Sequence, residues 1–126
     1  MADLPNGNAE EIGVFNAIAG SSDDGPVLML NLNSYAEEAN FPDGDLYREH
    51  MAVLDQLLIE VGGRILWCTK VRGTVVGTQN IHEAIEIWYP SHQAFLDLMT
   101  APSSARNMEL RSKTVPNADL HRCDTY

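Results

Sequence analysis

Hydrophobic residues recur along this chain with two periods, and the change from one to the other marks its elements. Ile85, Ile87 and Tyr89 alternate with Glu86 and Trp88, the pattern of a strand with one face buried. Pro90 has no N–H to give to a ladder and biases Tyr89 toward extended geometry. Ser91 is placed to N-cap a short helix whose Phe95, Leu98 and Met99 fall at helical spacing. An earlier strand is expected from Val27 to Asn33, with Leu28, Leu30 and Leu32 on one face and Val27, Met29, Asn31 and Asn33 on the other. Two amides on a face shared with Val and Met suggest a wet pocket there.

A helix is expected at about Ala9 to Ala19, then a turn-forming run from Gly20 to Pro26. Asn40 to Gly44 reads as a loop, after which Asp43 or Asp45 opens a helix striped by Tyr47, His50, Met51, Leu54, Leu57, Leu58 and Val61. Gly62 or Gly63 ends that helix in a left-handed cap. A strand from Arg64 to Val71, a glycine-punctuated connection of about eight residues, and a strand from about Ile81 to Tyr89 come next. Pro102 falls in the first turn of a helix reaching Leu110 or Arg111, and a last strand spans Ala118 to Thr125. The order of strands and helices is the α+β, ferredoxin-like βαββαβ plan with an extra N-terminal helix. One domain over residues 1–126 is expected, with 1–25 as N-terminal helix and linker.

The net charge of −10, with eight scattered Lys and Arg residues, argues against a nucleic-acid partner, which requires a basic patch. No apolar run approaches a membrane span, and the N-terminus lacks the parts of a signal peptide, so a cytoplasmic protein with no membrane partner is expected. The clustered acids Glu37, Glu38, Asp43 and Asp45 lack a calcium-loop pattern and read as a solvated face. Cys68 and Cys123 form no CxxC motif, and their strands should be opposite sheet edges, so both thiols are expected free. His121 and Cys123 supply at most two metal ligands. Gly73 and Gly77 precede a strand and not a helix, so neither a nucleotide nor any other cofactor is called for.

Three segments together resemble the DUF1330 family of the dimeric α/β-barrel superfamily: Asp24 to Leu32, Gly62 to Trp67, and Tyr89-Pro90-Ser91 with Phe95 and Met99. The resemblance spans residues 24 to about 111. It implies a homodimer in which two four-stranded antiparallel sheets face one another with helices outside. The residues point the same way, since helices on one side leave a sheet face that Trp67, Trp88 and Met29 would give something to bury. Superfamily relatives include cofactor-independent monooxygenases, isomerases and cyclising or decarboxylating enzymes of small organic substrates.

Asn31 matches the family's Asn-Leu pair and can orient a ligand through its amide, or else make an interfacial or inter-strand hydrogen bond. Tyr47 matches a family tyrosine; its phenol can bind a ligand or be a core ring with a wet tip. His50, one turn later, is the histidine placed for acid–base work, against a purely structural role. Glu86 is a candidate general base if its strand face is interior, and an ordinary exposed glutamate otherwise. Trp67 and Trp88 can wall a flat substrate or anchor a dimer, and Trp88 stands where the family pattern has a polar residue. Arg64 and Arg111 can hold a carboxylate bidentately, or pair with nearby surface acids. The expectation is a small cofactor-independent enzyme, isomerase, cyclase or monooxygenase-like, on a small organic molecule in a barrel pocket. The alternative is a non-catalytic ligand-binding or dimeric interaction protein.

Overall fold

Each strand of this chain hides one row of side chains, and which row it hides decides where chemistry can occur. The computed structural model describes residues 6–125. Its elements are α1 (Ala9–Ala19), β1 (Val27–Ser34), α2 (Asp45–Val61), β2 (Arg64–Lys70), β3 (Glu83–Tyr89), α3 (His92–Leu96), α4 (Ser104–Thr114) and β4 (Asn117–Cys123), with 3-10 turns at Glu37–Ala39 and Asp97–Met99. The strands form one antiparallel sheet in the order β2-β3-β1-β4, the ferredoxin-like arrangement, with β2 and β4 as edges. No helix among the described residues is long and apolar enough to cross a membrane.

The helices all lie over one sheet face. Val27, Met29, Ile85, Ile87 and Tyr89 point into that layer and pack with Phe15 of α1, Leu58 of α2 and Phe95 of α3. The expected mixed face of β1 is therefore the buried one, and Met29, expected on the uncovered face, is in the core at 5% exposure. The uncovered face carries Leu28, Leu30 and Leu32 with Ala84, Glu86 and Trp88. The α2 stripe behaves as its spacing predicts, with Tyr47, His50, Leu57 and Leu58 buried. Gly62 ends α2 at φ +81, a conformation that favours glycine, and donates its N–H to the Ile59 carbonyl at 3.2 Å.

Several boundaries differ from expectation. β3 starts at Glu83, so the preceding connection runs over residues 71–82 and includes Ile81. β2 stops at Lys70, and β4 covers Asn117–Cys123. Pro102 lies ahead of α4, whose start is set at a distance: the Glu60 carboxylate of α2 accepts the Ser103 N–H at 2.8 Å and its hydroxyl at 2.6 Å. Between β1 and α2 the chain makes a 3-10 turn that no periodicity announces. Here Gly44 sits so close to Ala39 that a Cβ would lie 2.3 Å from the Ala39 carbonyl oxygen.

The Tyr89-Pro90-Ser91 junction is as expected. The Ser91 hydroxyl accepts the Ala94 N–H at 3.0 Å, and α3 follows at once. Asp24 adds a second clasp on α3, taking the His92 and Gln93 N–H groups at 2.7 and 3.2 Å and the His92 ring nitrogen at 2.9 Å. Burial opposes its ionisation, but these hydrogen bonds prevail and hold the Asp24 carboxyl below its usual value.

One irregularity interrupts the β2–β3 ladder. Ile65 pairs with Ile87 and Trp67 with Glu86, leaving Leu66 as a bulge. The extra residue reverses the side-chain parity of the rest of β2. Trp67 then shares the uncovered face with Glu86, and Cys68 shares the helix-covered face with Ile85.

Candidate functional site

The parity of β3 that buries Ile85, Ile87 and Tyr89 also buries Glu83 at the strand's first position, 4% exposed. Tyr35 follows β1 directly, and Tyr47 lies in the first turn of α2. Their phenols converge on this carboxylate: Tyr35 Oη donates to Glu83 Oε1 at 2.5 Å, and Tyr47 Oη reaches both carboxylate oxygens at 3.0 and 2.9 Å. Asn33 Nδ2 reaches Tyr35 Oη at 3.3 Å. Glu83 forms no ion pair among the described residues.

The ring of Phe41, half-buried, completes an aromatic cage with centroids 4.8 Å from Tyr35 and 4.9 Å from Tyr47. His82 joins from the β3 side, its Nδ1 accepting the Tyr35 backbone N–H at 2.8 Å. Burial, and then the hydrogen bond and charge of Glu83, push both phenols well above the usual tyrosine value. Both therefore remain hydrogen donors at neutral pH. Desolvating a carboxylate costs several kcal/mol, while hydrogen bonds to a charged group return about 1.5–3 kcal/mol each, so this cluster is near break-even for stability. An apolar trio would serve the fold as well. Partial burial, followed by the charges of Glu83 and Asp55, raises the nearby Cys68 thiol and makes it a poor nucleophile.

A second polar group lies in the same layer. His50 is 2% exposed, its Nδ1 has no hydrogen-bond partner among the described residues, and its imidazole is pushed down to about 4 by burial and then by the Arg111 charge. It is neutral at pH 7. Asn31 donates its side-chain amide to the Met29 carbonyl of its own strand at 3.0 Å. Arg111 of α4 does not pair with an acid among the described residues.

Six of the residues singled out from sequence are thus divided by the sheet. Asn31, Tyr47 and His50 lie on the helix-covered side, whereas Glu86, Trp67 and Trp88 lie on the uncovered face. There, burial raises the Glu86 carboxyl and its Oε1 has no partner among the described residues. The Arg64 guanidinium stacks 4.9 Å from the Trp88 ring centre. Glu86 therefore cannot share a substrate with Tyr47 through the intact sheet. Sequence reasoning passed over Glu83 and Tyr35, and noted Asn33 only as one of two amides on a mixed face of β1, although Glu83 is two residues before Ile85 and shares its parity.

No model of a known protein family matches this sequence, and no curated protein does either. Solved structures do resemble it. RPA0582 of Rhodopseudomonas palustris, a protein of unknown function, is 22% identical over 95% of each chain with a TM-score of 0.75. An EthD family protein of Bacillus halodurans is 16% identical, covering 80% of this chain and 99% of its own, with a TM-score of 0.61. A dimeric protein of unknown function with a ferredoxin-like fold from Bacteroides fragilis is 8% identical, covering 79% and 96%, with a TM-score of 0.50. At these identities the likeness is one of fold.

Proposed function

We propose that this chain is a single-domain, DUF1330-like protein that pairs as a homodimer and acts as a small cofactor-independent enzyme, moving a proton on a small organic carbonyl compound. The observation that carries this reading is the buried Glu83 carboxylate, held by two phenols with no cation paired to it. In this reading Glu83 takes the proton from the carbon next to the carbonyl. The C–H electron pair passes to the carbonyl oxygen as an enolate, and the phenol of Tyr35 or Tyr47 turns its hydrogen to that oxygen. Glu83 then returns the proton to the same or a neighbouring atom, which makes the reaction an isomerisation or an exchange.

The experiment is solvent deuterium exchange, read by NMR, with phenylacetone and phenylpyruvate as probes. Exchange of the methylene protons is expected at least tenfold above buffer with the wild type and at the buffer rate with Glu83→Gln. Buffer-level exchange of both probes with wild type would favour the non-catalytic alternative, a ligand-binding protein.

Dimerisation draws on the uncovered sheet face, whose Leu28, Leu30, Leu32, Trp67 and Trp88 suit burial against a second copy. The dimeric Bacteroides fragilis protein of like fold supports it. Wild type should elute as a dimer in light-scattering chromatography and Trp88→Glu as a monomer. A monomeric wild type at micromolar concentration would remove this part of the proposal.

A further inference from the structure

The layer between the sheet and α2 and α4 contains a cation, Arg111, that forms no ion pair with any acid among the described residues. Asn107, Leu110, Arg111 and Thr114 form the inward side of α4, with Asn107 and Arg111 one turn apart. Arg111 is half-buried and lies near enough to His50, Tyr35 and Tyr89 for its charge to act on each. All three are uncharged at neutral pH. The surface acids pair elsewhere: Glu49 and Glu109 with Arg106, Glu109 also with Lys113, and Glu11 with Arg122.

Three side chains in this layer each retain a buried polar atom with no partner among the described residues: His50 Nδ1, Asn33 Oδ1 and Asn107 Oδ1. They are 2%, 4% and 9% exposed. Such atoms are costly, and native cores contain few of them. A rotation of Arg111 could satisfy one amide oxygen, yet it would leave the positive charge without a counter-ion. A ligand anion neutralises that charge, and a hydroxyl hydrogen on the same ligand answers an amide oxygen. Tyr35 joins this group to the Glu83 cluster, through its contacts with Asn33 and Glu83.

We infer that Arg111, with Asn33, Asn107 and His50, forms a binding subsite for the carboxylate of a small hydroxycarboxylate ligand. The guanidinium holds the carboxylate through paired N–H groups, the Asn33 or Asn107 amide oxygen accepts the hydrogen of a ligand hydroxyl, and the buried neutral imidazole of His50 bonds the ligand beside them. A buried point of positive charge counts for more here than the chain's net charge of −10, because the remote acids are screened by solvent and salt. This inference rests on the proposed proton-transfer site: it gives that site's carbonyl substrate a carboxylate, with the hydroxyl of its enol form as the group an amide oxygen accepts from, which a hydroxycarboxylate mimics.

Calorimetric titration with phenyllactate and with its uncharged amide tests the subsite. Wild type is expected to bind phenyllactate at least tenfold more tightly than the amide, Arg111→Gln to lose that preference, and Arg111→Lys to retain part of it. Side-chain NMR signals of Asn33 and Asn107 in wild type should shift on adding phenyllactate, which needs no variant to fold. Equal binding of acid and amide, no binding of either, or an unchanged preference in Arg111→Gln would overturn the subsite. If the acid preference appears but deuterium exchange does not, the subsite stands and the catalytic reading falls. Exchange of phenylacetone with no acid preference leaves the catalytic reading standing and removes the subsite.

Discussion

Acidification should destabilise this fold through His50 in a way that one substitution can isolate. The imidazole is buried on α2 and pushed down from 6.5 to about 4, by burial first and by Arg111 second. Between those values the unfolded chain binds a proton that the folded chain refuses. Stability fully present above pH 6.5 is therefore lost as the pH falls toward 4. The lowering corresponds to about 3 kcal/mol, a large part of the stability of a domain this size. Urea unfolding followed by circular dichroism at pH 7, 6, 5 and 4, at one protein concentration, gives the free energies without added ionic strength. His50→Gln keeps a hydrogen-bonding side chain but cannot titrate. It should be less stable than wild type at pH 7, and the gap should close by about 3 kcal/mol at pH 4. Carboxylates titrate alike in both proteins and cancel. Parallel pH profiles, with the gap constant to about 0.5 kcal/mol, would refute the argument.

Other perturbations probe the parts around it. Glu83→Ala leaves two buried phenols without their acceptor and should cost about 2–4 kcal/mol, whereas Glu83→Gln should stay within about 1 kcal/mol of wild type in thermal melts. A large loss in Glu83→Gln would mean the cluster exists for stability. Tyr35→Phe removes a donor to Glu83 and should cost about 1–3 kcal/mol, read from urea midpoints. Gly44→Ala drives a Cβ toward the Ala39 carbonyl and should lower Tm by several degrees, the turn having to open by about an ångström to admit it. Ser91→Ala removes the α3 cap and should cost about 1 kcal/mol; an unchanged midpoint would count against that role.

What could be read beforehand was whatever repeats locally. The alternation around Ile87, the stripe on α2 and the Pro90-Ser91 junction each depend on neighbours within a few residues, and each folds as its spacing predicts. Which face of β1 turns inward depends on where the helices land, so its leucine row lies on the uncovered side. The start of α4 is held by Glu60, far away in sequence, and no local signal could report it. Tyr47 and His50 were legible as stripe members with polar tips. Glu83 was legible only by extending the β3 parity backward, and Tyr35 lies outside every periodic segment although its partner is 48 residues away. Polar clusters assembled from chain ends of different elements have no period to betray them.

The bulge at Leu66 lets an edge strand carry one residue more than its partner without sending any later side chain to the other face. Deleting Leu66 would leave a regular ladder with Ile65 opposite Ile87 and Trp67 still opposite Glu86, so Trp67 would stay on the uncovered face and Cys68 beside Ile85. Flattening the bulge with Leu66 kept would do the opposite, sending Trp67 under the helices and turning Cys68 out. A gain or loss of one residue at this point therefore leaves the aromatic row of the uncovered face in place, and lineages sharing this architecture can differ there in length without a change of surface.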